Sequence, residues 1–585
     1  MRSAVCAPRR GAAAFRHGTG PQLCAPQMRA SSENGRSERG AAVDVIVIEE
    51  GAGDKRAAAS AAREREGAGR AAEAHCGESL LEVLRRAGAP VAAPCGGAGT
   101  CGKCAVEVHR AGAHGWERVL ACQTPAEDGM EVRLGTAGSL LVEDGAPDLD
   151  RLLARFIRDD AAPGDLGVAV DLGTTTVAAY LIDLCTGRLL AHGGEANPQA
   201  SFGADVISRI QACREGKLAE LQRAAAGCVR DLAAALCARA SADAARITRW
   251  AVAGNTVMQH ILCGASPESI GAYPFTPQLL FGDTRAVPGL GARVAFCPCV
   301  SGYVGGDITA GLLACGIDEL TTPGAGAGRR EDASRTVLFA DLGTNGEMAI
   351  SAGGELVCCA TATGPAFEGA NISCGMQARA GAVSACRFED GAFAVEVIGG
   401  GVPAGVCGSG LIDALAACLK AGVVDETGRV LPPDELPPER ARLVELRDGK
   451  PVVLLVPDGT VVLTQQDVRA LQLAKAAVAA GIATLLDAAG VDVADVDKFV
   501  IGGAFGAHLR PEAAAAIGLI PRALLPKVRL VGNCAGAGAC AALLSTPARE
   551  RMTQLAHDAR YVELSLDAGF SEAFVDAMEF EEAIA

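Results

Sequence analysis

The sequence predicts a multidomain chain, α+β and then α/β: a small cysteine-bearing domain followed by two similar lobes. Three observations carry that prediction. Cys95, Cys101 and Cys104 stand in C-x5-C-x2-C spacing on a glycine-rich stretch, with Cys122 beyond them. The motif Asp171-Leu-Gly-Thr, flanked by apolar strand-like runs, returns as Asp341-Leu-Gly-Thr, 170 positions further on. A third apolar run, Lys498–Ile501, feeds the glycine cluster Gly502-Gly-Ala-Phe-Gly506. At 585 residues the chain is too long for one core. Its net charge of −16 argues against nucleic acid and against an anionic membrane surface as partners. No uninterrupted apolar run reaches about eighteen residues, so no membrane span is expected. The 23 cysteines are scattered through apolar segments. They read as small buried hydrophobes in a reducing cytoplasm rather than as a disulfide scaffold.

Residues 1–41 are rich in arginine, glycine, serine and alanine, with five arginines before the first acid, Glu33. They are expected to be a disordered extension, loosely like an organellar transit peptide, and carry no assigned function. Residues 42–135 form the first domain. Val43–Ile48 alternates like a strand, and residues 50–75 then interrupt it as a solvated insertion. An amphipathic helix from Ser79 ends at Gly88. The cysteine loop follows, then strands at Ala105–His109 and Met130–Leu134 on either side of Cys122. Three clustered thiols and one distant thiol suit a 2Fe–2S cluster, held by Cys95, Cys101, Cys104 and Cys122. A zinc ribbon would pair two C-x-x-C knuckles, and only Cys101 and Cys104 make one. Gly96, Gly97, Gly99 and Gly102 let the backbone approach the sulfurs closely. Strand, helix, cysteine loop, strand and last cysteine make a β-grasp ferredoxin domain. Cys76 lies outside the ligand pattern. Residues 136–165 read as a linker around one helical piece, Leu149–Ile157.

In the first lobe, 166–332, a buried strand runs into Asp171-Leu-Gly-Thr-Thr-Thr176 and turns into a second strand. In the second lobe, 333–585, Val337–Ala340 runs into Asp341-Leu-Gly-Thr-Asn-Gly-Glu347 in the same way. Gly173 and Gly343 permit tight turns whose N–H groups, with the hydroxyls of Thr174, Thr175 and Thr344 and with Asn345, point at phosphate oxygens. Asp171 and Asp341 would face a Mg²⁺ ion and its waters across the cleft, because Mg²⁺ takes hard oxygen ligands and keeps much of its hydration. Gly502, Gly503 and Gly506 would let a nucleoside lie against the backbone.

These residues resemble the actin, Hsp70 and sugar-kinase superfamily of two-lobed ATPases. Joined to a 2Fe–2S domain they resemble, more narrowly, the reductive activators of corrinoid proteins, which reactivate cobalamin-dependent methyltransferase systems at the expense of ATP. The resemblance spans roughly residues 42–582. It also takes in Gly254-Asn-Thr256, Ser301-Gly-Tyr-Val-Gly-Gly-Asp307, Cys407–Asp413 and Gln465–Lys475. With no C-x2-C-x2-C after Cys407, the chain is similar to the 2Fe–2S subgroup rather than the one with a C-terminal two-cluster ferredoxin. The resemblance implies a two-lobed ATPase fold with ATP and Mg²⁺ in the cleft. Gly408, Ser409 and Gly410 would start the connecting helix beside the nucleotide, and Lys475 would approach a phosphate or the ribose. It implies a corrinoid-binding protein and a cellular electron donor as partners, with a homodimer as a candidate assembly.

Asp307 is read either as a water-orienting carboxylate for ATP hydrolysis or as a helix N-cap. His508 reads as an exposed turn residue. Cys297, Cys299, Cys358, Cys359 and Cys374 match no cluster spacing and read as core. The expected function is ATP-dependent return of an inactive Co(II) corrinoid to Co(I). The alternatives are an ATPase activator of another low-potential or radical enzyme, and a redox-sensing nucleotide-binding regulator.

Overall fold

Alternation places Val45 and Val47 in a core while Ile46 faces out, and strand Ala42–Glu49 becomes the second strand of a five-stranded sheet. The order is 70–75, 42–49, 130–134, 105–109, 117–120, with Ala42–Glu49 parallel to Met130–Leu134 and every other pairing antiparallel. Helix Leu80–Arg86, capped by the Ser79 side chain, buries Leu80, Leu81, Val83 and Leu84 against that sheet. This is the expected β-grasp arrangement, with two differences. Residues 70–75, read as part of an insertion, are the hairpin partner of the first strand. Glu117–Leu120 is a strand that the sequence did not announce. The computed structural model describes residues 42–49, 70–75, 77–89, 91, 93, 95–99, 102–110, 112–113, 115–134, 149–321, 335–369, 371–503 and 508–580. The expectations for 1–41, 50–69, Cys76, Cys101 and Gly506 fall outside those residues.

The two lobes are built on sheets of the same plan. In the first, Leu166–Leu172 pairs antiparallel with Thr176–Asp183 and parallel with Ile247–Gly254. In the second, Val337–Leu342 pairs antiparallel with Gly346–Ala352 and parallel with Lys498–Gly502. Each sheet has six strands. Asp171 and Asp341 occupy matching places, next to last on the central strand, where the chain leaves the sheet for its turn.

Two helices of small residues lie between the sheets. Gly306–Ala314 packs its Ile308 and Leu312 with Phe339 and Val500 of the second sheet. Cys534–Leu544, although it belongs to the second lobe by sequence, packs Ala537–Leu544 with Ala169, Tyr180 and Ala251 of the first. Leu149 and Leu152, at the end of the expected linker, join the same cluster through a short helix, Leu149–Leu153. The 25-residue helix Gln465–Ala489 is the one helix among the described residues long and apolar enough to cross a membrane. Most of its apolar window is buried within the second lobe.

Where the two small-residue helices cross, a Cβ on Gly538 would lie 2.2 Å from the carbonyl oxygen of Ala310. Backbone cannot step aside as a side chain can. Gly538→Ala is therefore expected to destabilise the protein by about 1–3 kcal/mol, measured by denaturant unfolding. Gly227→Ala, inside helix Leu218–Arg239 with only the tip of the Arg230 side chain within 4 Å, controls for replacing a helical glycine without a close contact.

Candidate functional site

Both Asp-Leu-Gly-Thr turns open onto one cleft between the sheets. It is lined by Asp171, Gly173, Thr174, Thr175, Asn255, Asp307, Asp341, Gly343, Thr344, Asn345, Glu347, Glu368, Gly408, Ser409, Gly503, His508 and Asn533, among others. The hairpin tips meet, with the hydroxyls of Thr175 and Thr344 3.3 Å apart. Asn255, the cap of helix Thr256–Cys263, donates from Nδ2 to Thr174 Oγ1 at 2.9 Å. Gly503, at φ +85°, leaves room for Asp341, whose Oδ1 a Cβ there would meet at 2.4 Å. Asn533, the cap of helix Cys534–Leu544, donates to Asp171 Oδ2 at 2.8 Å.

The electrostatics are those of a cation site. Burial pushes Asp171 up to about 6, countered by the Asn533 hydrogen bond. Asp341 rises to about 7 through burial and the Asp171 charge. Asp307 and Glu347 are driven well above the ordinary carboxylate range, by burial first and then by the neighbouring aspartates. Glu347 Oε1 is buried with no hydrogen-bond partner. Hard oxygens, mutual repulsion and an orphaned acceptor fit Mg²⁺. Among the described residues no three carboxylate, histidine or cysteine side chains converge to hold an ion directly. The fit is therefore to an ion that reaches these groups largely through its own waters.

The cysteine loop also fits its group. The sulfurs of Cys104 and Cys122 lie 3.3 Å apart, near the roughly 3.8 Å expected of two ligands on one tetrahedral metal with bonds of about 2.3 Å. Gly96, Gly97, Gly99 and Gly102 all take positive φ, the conformation that a loop folded around a cluster demands. Cys95 lies in the same loop. The loop rests on both lobes. Arg85, from the adjoining helix, donates to Ser201 O and stacks 4.7 Å from the Phe202 ring. Lys103 donates to Ile372 O at 3.1 Å and Gly375 O at 3.5 Å.

Some expected site residues lie elsewhere. Lys475 is buried under the C-terminal segment, donating to Glu579 O with Phe580 4.7 Å away, and is not on the cleft wall. Gly410 packs on the Val383 carbonyl, which a Cβ would meet at 2.1 Å. Gly502 packs against Cys534 and Phe339. Ser409 lines the cleft but spends its hydroxyl on Ser384 O. Asp307 is not the helix N-cap, a position held by Gly305. It sits in the first turn and accepts from Ile308 N at 2.9 Å. His508 is exposed at the cleft edge, and Cys297, Cys299, Cys358 and Cys359 are core.

Asn533 and Glu368 went unread. The cue for Asn533 is a capping residue before a helix of small residues. For Glu368 it is an acid inside the apolar run Gly364-Pro-Ala-Phe-Glu-Gly369.

Comparison with known proteins agrees with this geometry. Residues 335–584 match the model of the C-terminal ASKHA domain of RACo, 166–320 the RACo middle region, and 64–127 the 2Fe-2S iron-sulfur cluster binding domain. The corrinoid activation enzyme RamQ of Eubacterium limosum is 30% identical over 583 residues, covering 85% of this chain and 95% of that protein. The chain belongs to the family of reductive activators of corrinoid proteins. A solved reductive activator for corrinoid,iron-sulfur protein superposes with a TM-score of 0.63 at 28% identity, covering 92% of this chain and 98% of its own. A [Co(II) methylated amine-specific corrinoid protein] reductase of Methanosarcina barkeri is 24% identical, over 61% of this chain and 66% of that protein. A 2Fe–2S domain and a nucleotide-binding ASKHA domain are thus joined in one member of this family.

The raised carboxylates fix a pH dependence. Their folded pKa values lie above the ordinary 3.8, so the native state holds protons that the unfolded chain has lost. Stability of the protein without divalent metal should fall as pH rises from about 4 through 6 and 7, and level off above. Thermal unfolding in chelator should show that slope, and saturating Mg-nucleotide should flatten it.

Proposed function

We propose that this protein is an ATP-dependent reductive activator. It passes a low-potential electron from its 2Fe–2S cluster to the inactive Co(II) corrinoid of a methyltransferase system and so restores Co(I). One observation carries the reading: in a single chain, a cysteine-bearing domain is seated on both of the lobes that line one cleft. The named activities of its relatives on corrinoid proteins supply the acceptor.

When bound, the cluster supplies a one-electron carrier and Mg²⁺ neutralises the phosphates. Cys95, Cys101, Cys104 and Cys122 hold the first. Asp171, Asp307, Asp341 and Glu347 face the second, with Asn533 orienting Asp171. The turns at Gly173–Thr175 and Gly343–Asn345 present N–H and hydroxyl groups to the phosphates. Gly503 and Gly506 would let the nucleoside approach the backbone. Asp307 is placed to orient water at the phosphate end. A shift of about 4 kcal/mol between two lobe arrangements moves a one-electron equilibrium by roughly 170 mV, at about 59 mV and 1.4 kcal/mol per factor of ten. That is the scale on which ATP lets an ordinary cellular donor reach Co(I). The cysteines scattered through apolar segments suit a reducing cytoplasm, and a homodimer is the assembly to test.

The test is spectroscopic. The anaerobically purified protein, chemically reduced, is mixed with a Co(II) corrinoid methyltransferase component, and Co(I) absorbance is followed with and without Mg-ATP. Co(I) should form only with ATP, and Cys104→Ala and Asp171→Asn should each slow it roughly 100-fold or more. ATP turnover with no Co(I) from several corrinoid partners would point to another low-potential enzyme as the target. Loss of both ATP turnover and cluster reduction would leave a regulator.

A further inference from the structure

The two hairpin tips close on a carboxylate of the protein itself. Glu368 accepts from Thr344 Oγ1 at 2.6 and 2.7 Å, and the Thr175 hydroxyl, 3.3 Å from Thr344 Oγ1, and the Thr344 backbone amide favour its charged form. Its Oε1 lies 3.7 Å from where a Cβ on Gly343 would be. These are the donors that an anionic oxygen of a phosphate chain would use. Glu368 therefore stands where phosphate binds.

Each hairpin is tied to one half of the seat on which the iron–sulfur domain rests. In the first lobe, Asn197 donates from Nδ2 to Gly173 O and from its amide to Thr175 O, both at 2.8 Å. Asn197 also caps the turn Pro198–Ser201, whose Ser201 carbonyl takes Arg85. The buried Arg209 bridges Thr174 O at 2.6 Å and Gly203 O at 3.1 Å. In the second lobe, Glu368 ends the turn Pro365–Glu368. Beyond it, Gly369 and Gly375 lie backbone to backbone, a Cβ on Gly375 falling 2.0 Å from Gly369 O. Ser373 is anchored on Asp467, its amide donating at 2.8 Å. Ile372 and Gly375 present the carbonyls that take Lys103. Each half of the seat is hydrogen-bonded to its own hairpin, the second also through Thr363, which donates to Gly343 O and Thr344 O at 2.8 Å, and on these ties the gap between Ser201 and Ile372 would follow the gap between Thr175 and Thr344.

We propose that Glu368 is an internal phosphate mimic, and that its displacement by the nucleotide's phosphates parts the hairpins and releases the iron–sulfur domain from its seat. A phosphate chain is bulkier than a carboxylate and repels it. Entry between hydroxyls 3.3 Å apart must expel Glu368 and separate the tips. Arg85 and Lys103 then cannot both keep their carbonyls. Coupling of this kind is reciprocal, so loosening the seat must favour the nucleotide by the factor with which the nucleotide loosens the seat.

This inference rests on the cleft being the nucleotide site, and the experiment separates the two. Amide exchange of the holo full-length protein is measured with and without Mg-AMPPNP, alongside the nucleotide's dissociation constant in wild type, Glu368→Gln, Lys103→Ala and Lys103→Arg. Nucleotide should raise exchange at least threefold in peptides covering 93–104 and 371–376. Glu368→Gln should bind about tenfold more tightly and Lys103→Ala about threefold, while Lys103→Arg, which keeps the donors, stays near wild type. Unchanged exchange in wild type with nucleotide bound, or wild-type affinity in both Glu368→Gln and Lys103→Ala, would overturn the inference alone. No binding of nucleotide by any of these proteins would overturn it together with the reading of the cleft.

Discussion

Five carboxylates, Asp171, Asp307, Asp341, Glu347 and Glu368, face one cleft whose lining, among the described residues, holds a single basic residue, His508. That imbalance organises the rest of the molecule. Like charges taken out of water raise one another's pKa and wait for a cation. The architecture supplies what such a site needs. Two sheets of the same plan each end a central strand in an aspartate, and a tight glycine turn follows at each. The helix starting at Asn533 reaches from the second lobe to hold the aspartate of the first. A structure that stores this repulsion is less stable by itself and gains most from the ligand that relieves it.

The iron–sulfur domain adds a second constraint. It touches the first lobe through Arg85 of its helix and the second through Lys103 of its cysteine loop. A body held at two points on two lobes reports their separation. If nucleotide displaces Glu368 as proposed, the linkage from nucleotide to cluster would need no long wire through the core, because the docking segments are hydrogen-bonded to the two glycine turns through Asn197 and Glu368.

What was legible in the sequence is what local chemistry dictates. An apolar strand ending in Asp-x-Gly-Thr encodes its own hairpin, and both hairpins appear where expected. Glycines among cysteines encode a loop around sulfur, and the Thr464 cap of the long helix forms its capping box with Asp467. Tertiary partnership left a weaker trace. Residues 70–75 read as an insertion because alanine and glutamate make a poor strand signal, yet pairing with 42–47 supplies the bonds. Lys475 was drawn to the cleft by its place on a helix thought to border it, but that position faces Phe580. Asn533 and Glu368 lie far in sequence from the turns they serve, and neither carries a motif of its own. The six-stranded sheets on either side of the expected boundary at 333 are separate, but helix 534–544 crosses back to pack with the first.

At that crossing two helix backbones come together: Gly538 lies against the backbone of Ala310, and Gly311 takes the Cys534 side chain. Helices that interlock through leucine ridges must lift one row over another to turn, whereas two nearly bare rods in contact have no teeth to disengage. A turn of one lobe on the other at this joint would therefore need little repacking, which would leave its energetics to the charges in the cleft.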